Sequence, residues 1–137
     1  MTNRPETRVL ETAAGPGALG EIEMALERTW SANPHVPHTV RMDMGIAAGE
    51  IGANIIEHAA SGYPVRIWLD VQVSPSRVNL EFTDDGEPAQ IDMDAVRMPD
   101  DMAERGRGLA LAKAVLDELT YRRADCNHWI LVSKHFP

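Results

Sequence analysis

The strongest constraint on the fold comes from two neighbouring segments in which apolar and polar residues alternate. The odd positions of residues 65–74 carry most of the apolar side chains of the first segment, and the even positions of residues 78–83 carry those of the second. An alternation with period two is typical of β-strands that bury one face. Because Pro75 and Ser76 lie between the segments, we expect an antiparallel hairpin that helices cover on one face.

A helix is predicted over residues 44–59, because apolar residues recur there at intervals of three or four. The apolar positions are Met44, Ala48, Ile51, Ile55 and Ala59. Glu50, Asn54 and His58 are spaced by four residues, so they form a polar stripe along the edge of the apolar one. A carboxylate and a carboxamide held together at the border of a core are candidates for chemistry, although a solvated polar edge is the simpler interpretation.

Three glycines lie in the same predicted helix, at Gly45, Gly49 and Gly52. Each glycine costs a helix roughly 1 kcal/mol relative to alanine. We therefore expect a neighbouring helix or a ligand to approach this backbone closely.

Weaker patterns complete the fold prediction. Residues 8–13 are predicted to form a short strand, and a helix with Leu19, Ile22, Leu26 and Trp30 at helical spacing is predicted after Gly17. A last helix is indicated by Leu109, Ala112, Val115, Leu116 and Leu119. Two closing strands are expected at 120–124 and 128–136. The predicted fold is a single α+β domain over residues 1–137, ordered from about 7 to 136. It is a two-layer α/β sandwich with three helices on one face of a mixed, largely antiparallel sheet.

Residues 15–20, with the sequence GPGALG, match the G-x-G-x-x-G pattern of dinucleotide-binding proteins. That pattern requires a βαβ unit with a second parallel strand. Here a proline-rich segment, 31–38, and another helix follow instead. We interpret the glycines as a turn, with Pro16 near the first position of a helix. An NAD-dependent oxidoreductase is the alternative, and a titration with NAD tests it.

Bulk composition narrows the class of protein. The net charge of −8 argues against a nucleic-acid-binding protein, which would normally carry a basic patch. The single cysteine, Cys126, excludes an internal disulfide and suggests a reducing compartment. The chain shows neither a long apolar run nor a signal-like apolar core near its first residue. The predicted location is the cytoplasm, without membrane insertion.

The segment from Thr83 to Pro88 ends the second strand of the hairpin with Asp84-Asp85-Gly86. Such a sequence is common in tight turns. Its functional interpretation is that the Asp84 carboxylate accepts a hydrogen bond from an amino group, such as that of adenine. Gly86 would then let a planar ring approach the backbone.

The segment Arg105-Gly106-Arg107-Gly108-Leu109 directly precedes the last predicted helix. It is either a flexible helix entry or an anion site, in which backbone N–H groups at a positive helix end bind phosphate. Arg105 and Arg107 would add positive charge. The residues before it lack clear periodicity, which is typical of a lid or binding loop.

Three motifs follow one another along the chain: Glu50-x-x-x-Asn54-x-x-x-His58, Asp84-x-Gly86 and Arg105-Gly106-x-Gly108-Leu109. In this order they resemble the N-box, G1 box and G2 box of the GHKL ATPases, which have the Bergerat fold. The set is most similar to the anti-sigma-factor serine/threonine kinases of bacterial partner-switching systems. The resemblance covers about residues 7–136. Two departures are present. Glu87-Pro88 replaces the second glycine common in histidine kinases, and Asp125-Cys126-Asn127-His128 stands where many relatives carry a Gly-Thr pair.

The resemblance implies a role for each motif. Glu50 would be the general base for a serine hydroxyl, Asn54 would bind Mg²⁺, and Asp84 would recognise adenine. Residues 87–105 would form the ATP lid, with Arg105 at the γ-phosphate and the amides of Gly106 and Gly108 at the phosphates. His58 is left outside the site as a packing or capping residue. The predicted nucleotide-binding residues are Asn54, Asp84, Gly86, Arg105, Gly106, Arg107, Gly108 and Leu109.

The function so implied is that of an anti-sigma factor and protein kinase in transcription regulation. It would bind a sigma factor and use Mg-ATP to phosphorylate an anti-anti-sigma protein on serine. The resemblance also suggests a homodimer, without direct contact to nucleic acid. The alternative is a nucleotide-dependent module that sequesters a protein without phosphorylating it. Glu50 distinguishes the two functions.

Overall fold

A computed structural model describes residues 7–59, 62–91, 93 and 104–135, with the side chains of the last range described from Arg107 onward. Within these ranges the chain forms three helices and five strands. In chain order they are β1 (Arg8–Ala13), α1 (Ala18–Ala32), α2 (His38–Ala59), β2 (Arg66–Ser74), β3 (Arg77–Asp84), α3 (Glu104–Val115), β4 (Glu118–Arg123) and β5 (Asn127–Lys134).

The described strands form one sheet in the order β1-β2-β3-β5-β4, and each neighbouring pair is antiparallel. The predicted hairpin is β2 and β3, which pair from Ile67 opposite Asp84 to Ser74 opposite Arg77. Strand β5 lies between β3 and β4. It therefore places Asn127 directly opposite Asp84. The predicted α+β sandwich is confirmed.

The core lies between the sheet and the three helices. In α2, Met44, Ala48, Ile51 and Ile55 are buried as predicted, and Ala59 is half-buried. Their neighbours in the core include Leu69, Leu80, Phe82, Trp129 and Leu131. Because this stripe faces the sheet, Glu50 and Asn54 fall at the edge of the core, and both are half-buried.

Several element boundaries differ from the prediction. Helix α2 begins at His38, directly after the proline-rich segment, rather than near Met44. Helix α3 ends at Val115, and Leu119 belongs to β4 instead. Leu119 is nevertheless buried, because β4 and α3 contribute to one core. The apolar spacing of the helix therefore continues into the strand. Of the predicted lid, residues 92 and 94–103 lie outside the described residues, as does residue 136 of the last predicted strand.

The GPGALG motif is a turn, as interpreted from the sequence. Gly17 caps α1 with a φ of 91°, a conformation that favours glycine, and the first helical residue is Ala18. Pro16 therefore precedes the cap instead of occupying the first helical position. After α1 the chain passes into α2, so the motif lacks the βαβ unit that dinucleotide binding requires.

The close approach expected at the α2 glycines occurs at one of them. A Cβ atom on Gly52 would lie 2.9 Å from Cδ1 of Ile22 in α1, so that glycine permits the two helices to pack. A Cβ on Gly45 or Gly49 would meet nothing within 4 Å, so no neighbouring helix among the described elements approaches the backbone closely at these two positions. Among the described helices, none has the length and apolar character required to cross a membrane.

Candidate active site

Two of the three predicted motifs meet at one cavity. It has a volume of about 390 Å³, within the range of about 300–1,000 Å³ usual for small-molecule sites. Asn54 comes from α2, Asp84 and Gly86 come from the end of β3, and Asn127 and Trp129 come from β5. The remaining described lining residues are Ile55, Glu57, His58, Ala59, Tyr63, Val65, Glu87 and Ala89.

Asp84 lies at the wall of this cavity with only 4% of its surface exposed. Its Oδ1 accepts hydrogen bonds from the Gly86 N–H at 3.0 Å and from Nδ2 of Asn127 at 2.8 Å. Its Oδ2 accepts one from Nε1 of Trp129 at 3.1 Å. A carboxylate has about four acceptor positions. Three are filled by donors among the described residues, which leaves one on Oδ2 for an N–H group of a ligand.

Glycine is required at position 86 because a side chain would not fit there, and not because of its backbone conformation. A Cβ at this position would lie 3.0 Å from Oδ1 of Asp84 and 3.4 Å from Val65. Its absence allows the Gly86 N–H to reach the carboxylate. The predicted role of Gly86, close approach of a ring, is compatible with this geometry.

Glu50 stands one helical turn before Asn54 and contacts the third motif. A Cβ built on Gly108 would lie 2.5 Å from Oε1 of Glu50, so the Glu50 side chain packs directly on the Gly108 backbone. Helices α2 and α3 are thereby joined at the predicted general base. The positive N-terminal part of α3 also favours a carboxylate at this point.

The Arg105–Leu109 segment forms the first turns of α3 instead of preceding it. In an α-helix whose first residue is Glu104, the amides of residues 104–106 lack acceptors within the helix. The Gly106 amide is therefore available to an anion, while that of Gly108 lies two residues further. Arg107 is exposed, Leu109 is buried in the core, and the Arg105 side chain lies outside the described part.

Sequence reasoning missed several residues around the cavity. Asn127 and Trp129 bond to Asp84, and the ring of Tyr121 packs on that of Trp129 with centroids 4.5 Å apart. His58, predicted to be a packing or capping residue outside the site, lines the cavity. The departure from the Gly-Thr pattern near residue 127 was the available signal, but its meaning depends on the pairing of β3 with β5.

Cys126 adjoins this network without being an evident nucleophile. Burial raises the pKa of the Cys126 thiol, and the charge of Asp85 adds to the effect, while Arg123 opposes it. The thiol is therefore protonated at neutral pH, which disfavours nucleophilic chemistry.

Comparisons with known proteins agree with this geometry. The family model described as histidine kinase-like ATPase domain matches residues 12–134, which include Glu50, the cavity and α3. The serine/threonine-protein kinase BtrW of Bordetella bronchiseptica is 30% identical over 142 residues, an alignment that covers 99% of this chain and 96% of the relative. The resemblance seen in the three ordered motifs is thus confirmed, and the domain is one that binds ATP. The chain belongs to the histidine kinase-like ATPase family, with a serine/threonine-protein kinase among its full-length relatives.

Proposed function

We propose that this protein is a serine/threonine-protein kinase that transfers the γ-phosphate of Mg-ATP to a serine of a protein partner. One observation carries the proposal. Asn54 and Asp84 line the same cavity, and Glu50 lies one turn from Asn54 against the N-terminal part of α3. The arrangement thus offers a hydrogen-bond acceptor for a purine in Asp84, an oxygen ligand for a metal ion in Asn54 and a general base in Glu50, all close to one another.

The purine end of the substrate is the best defined. The acceptor position left on Oδ2 of Asp84 suits the exocyclic amino group of adenine, since that group donates N–H bonds. Guanine carries an oxygen at the same ring position. An oxygen there would face a carboxylate oxygen, so the site favours ATP over GTP.

The residues present also fit Mg²⁺. Asn54 supplies one neutral oxygen at the cavity wall, and the described residues contain no group of three or more His, Cys, Asp or Glu side chains able to hold a metal by themselves. An ion held mainly by phosphate oxygens, waters and one or two protein oxygens is typical of Mg²⁺. When bound, it neutralises phosphate charge during transfer.

Glu50 would take the proton of the attacking serine hydroxyl. The serine oxygen then forms a bond to the γ-phosphorus, the bond from that phosphorus to the bridging oxygen of ADP breaks, and the products are a phosphoserine and ADP. A positioned base of this kind contributes about 10²–10⁴-fold to the rate. Amide groups in the first turn of α3 would bind the phosphates.

The partners belong to the same proposal. We expect the phosphorylated protein to be an anti-anti-sigma protein and the sequestered protein to be a sigma factor, which would make this an anti-sigma factor of a partner-switching system. The net charge of −8 suits a basic surface on a partner. A homodimer in the cytoplasm is part of the proposal.

The test compares wild type with Glu50→Ala, using radiolabelled ATP and candidate anti-anti-sigma proteins. We expect ADP affinity to be retained while phosphoryl transfer falls by about 10²-fold or more. Glu27→Ala, at an exposed position of α1, is the matched control and should transfer phosphate normally. If wild type binds Mg-ATP but labels none of the partners, the kinase proposal is wrong and the nucleotide-dependent sequestering module replaces it.

A further inference from the structure

Three side chains from β4 and β5 hold the backbone that follows Asp84. Nη1 of Arg123 donates to the Gly86 carbonyl at 2.8 Å, and Nδ2 of Asn127 donates to the Glu87 carbonyl at 2.8 Å. The Ala89 N–H donates to the Tyr121 hydroxyl at 2.9 Å. Strands β4 and β5 thus hold the segment 86–89, which includes the start of the predicted lid.

Asn127 is at the centre of these contacts. Its carboxamide oxygen accepts from the Tyr121 hydroxyl at 2.5 Å and from Nη1 of Arg123 at 3.2 Å. Its nitrogen donates to Oδ1 of Asp84 at 2.8 Å as well as to Glu87. The orientation of the amide is determined, because its oxygen faces two donors and its nitrogen faces acceptors.

Both N–H donors of Asn127 are therefore in use, and the residue is only 3% exposed. It has no donor left for a nucleotide. Its hydrogen bonds can therefore influence a bound purine only through their acceptors, the Asp84 carboxylate and the Glu87 backbone. A threonine hydroxyl, with one hydrogen, could not bond to both Asp84 and Glu87.

We propose that Asn127 is a positioning residue for purine recognition, which orients the Asp84 carboxylate so that its one open acceptor position meets the exocyclic amino group. Tyr121 and Arg123 hold Asn127 and the segment 86–89 in fixed positions relative to Asp84. This inference rests on the proposed binding of ATP. It adds that the selectivity for adenine depends on a side chain whose N–H donors are both used within the protein.

The experiment measures the dissociation constants of ADP and of purine riboside 5′-diphosphate, which lacks the exocyclic amino group. Wild type should prefer ADP by about tenfold or more, the effect of one hydrogen bond to a charged group. In Asn127→Ala the preference should fall toward one. Thr120→Ala, at an exposed position of β4, is the control and should keep the wild-type preference.

A second variant keeps the test sharp if Asn127→Ala folds poorly. Tyr121→Phe retains the ring that packs on Trp129 but removes the hydroxyl that bonds to Asn127 and Ala89. We expect a smaller loss of preference for ADP and faster hydrogen exchange of the Ala89 amide.

The possible results are distinct. Equal loss of affinity for both nucleotides, with the wild-type preference unchanged, would show that Asn127 is merely structural and would overturn the inference. A wild type that binds both nucleotides equally would overturn it as well, while leaving nucleotide binding intact. A wild type that binds neither would instead contradict the proposed function.

Discussion

Among single residues, Asp84 is the one on which the proposed recognition of the nucleotide depends most. Changing Asp84 to Asn replaces one acceptor oxygen by an N–H₂ group. At least one of the three protein donors then loses its acceptor, and the charged acceptor for the purine disappears. We expect ADP affinity to fall by about 10–100-fold, from a loss of roughly 1.5–3 kcal/mol, when measured by titration calorimetry. Asp85→Asn, at the exposed neighbouring position, is the control.

The result for Asp84→Asn that would contradict the assignment is an unchanged ADP affinity in a folded protein. Folding is checked separately by denaturation. The free energy of unfolding should fall by about 1–3 kcal/mol, because a buried donor is left without a partner.

Gly108 allows the geometry of the general base to be tested without removing it. A methyl group at this position would displace the Glu50 carboxylate, because its Oε1 lies only 2.5 Å from where the Cβ would be. Glu50 is a flexible side chain at the edge of the core, so the fold should tolerate the change, and alanine favours the helix by up to about 1 kcal/mol. We expect Gly108→Ala to keep its melting temperature and lose phosphoryl transfer by about 10²-fold, the effect of a displacement of about 1 Å.

The control for Gly108→Ala is Gly45→Ala, since a Cβ at Gly45 meets nothing within 4 Å. It should leave turnover unchanged. Normal turnover in Gly108→Ala would show that the contact with Glu50 has no role in the reaction.

The residues of the site differ in how far the sequence predicts them. Asn54, Asp84 and Gly86 belong to short spaced motifs, so each can be found locally, and the structure brings them to one cavity. Asn127 and Trp129 carry no such spacing. They reach Asp84 because β5 pairs with β3, and this contact joins residues far apart along the chain.

At the scale of elements, α2 has two kinds of glycine that should respond oppositely to substitution. Gly45→Ala adds a methyl group in open space and should raise the free energy of unfolding by about 0.5–1 kcal/mol. Gly52→Ala places a methyl group 2.9 Å from Ile22, which is buried, so the helices must separate or Ile22 must move. Overpacking of this kind costs about 1–3 kcal/mol.

Denaturant unfolding of the two variants measures the difference directly, and we expect Gly52→Ala to be the less stable by about 1 kcal/mol or more. Equal stability would mean that α1 and α2 adjust freely at this crossing. In that case Gly52 would have no packing role.

The ends of the helices were the least predictable feature of the elements. The start of α2 is hard to predict because the proline-rich segment runs directly into it. Pro37 immediately precedes the first helical residue, His38. The end of α3 is hard to predict for a different reason, because the apolar spacing continues beyond the last helical residue. Leu119 continues the helical spacing, yet its burial comes from β4. Apolar spacing indicates which side chains are buried in the core, but it does not indicate whether a helix or a strand carries them.

At the scale of the whole molecule, the order of the sheet determines where the motifs meet. Alternation along β2 and β3 predicts a one-sided hairpin, and helical spacing predicts the layer above it. Local patterns alone leave the position of β5 between β3 and β4 undetermined, since that depends on pairing between distant segments. The ordered set of three motifs supplied the missing information, because its resemblance to a known family implied one fold for the entire chain.

The whole-molecule prediction concerns ligand-dependent stability. A ligand that binds the folded chain alone stabilises it by about 2.7 kcal/mol at a concentration of 100 Kd. For a domain of 137 residues this corresponds to a rise in melting temperature of roughly 10 °C. We expect Mg-ADP and Mg-ATP to produce such a shift in thermal denaturation. GTP should produce little, because guanine presents an oxygen to the Asp84 carboxylate, and NAD should produce little, because GPGALG is a turn before α1. A shift with NAD and none with Mg-ADP would show that the cavity between α2 and the end of β3 is not the nucleotide site.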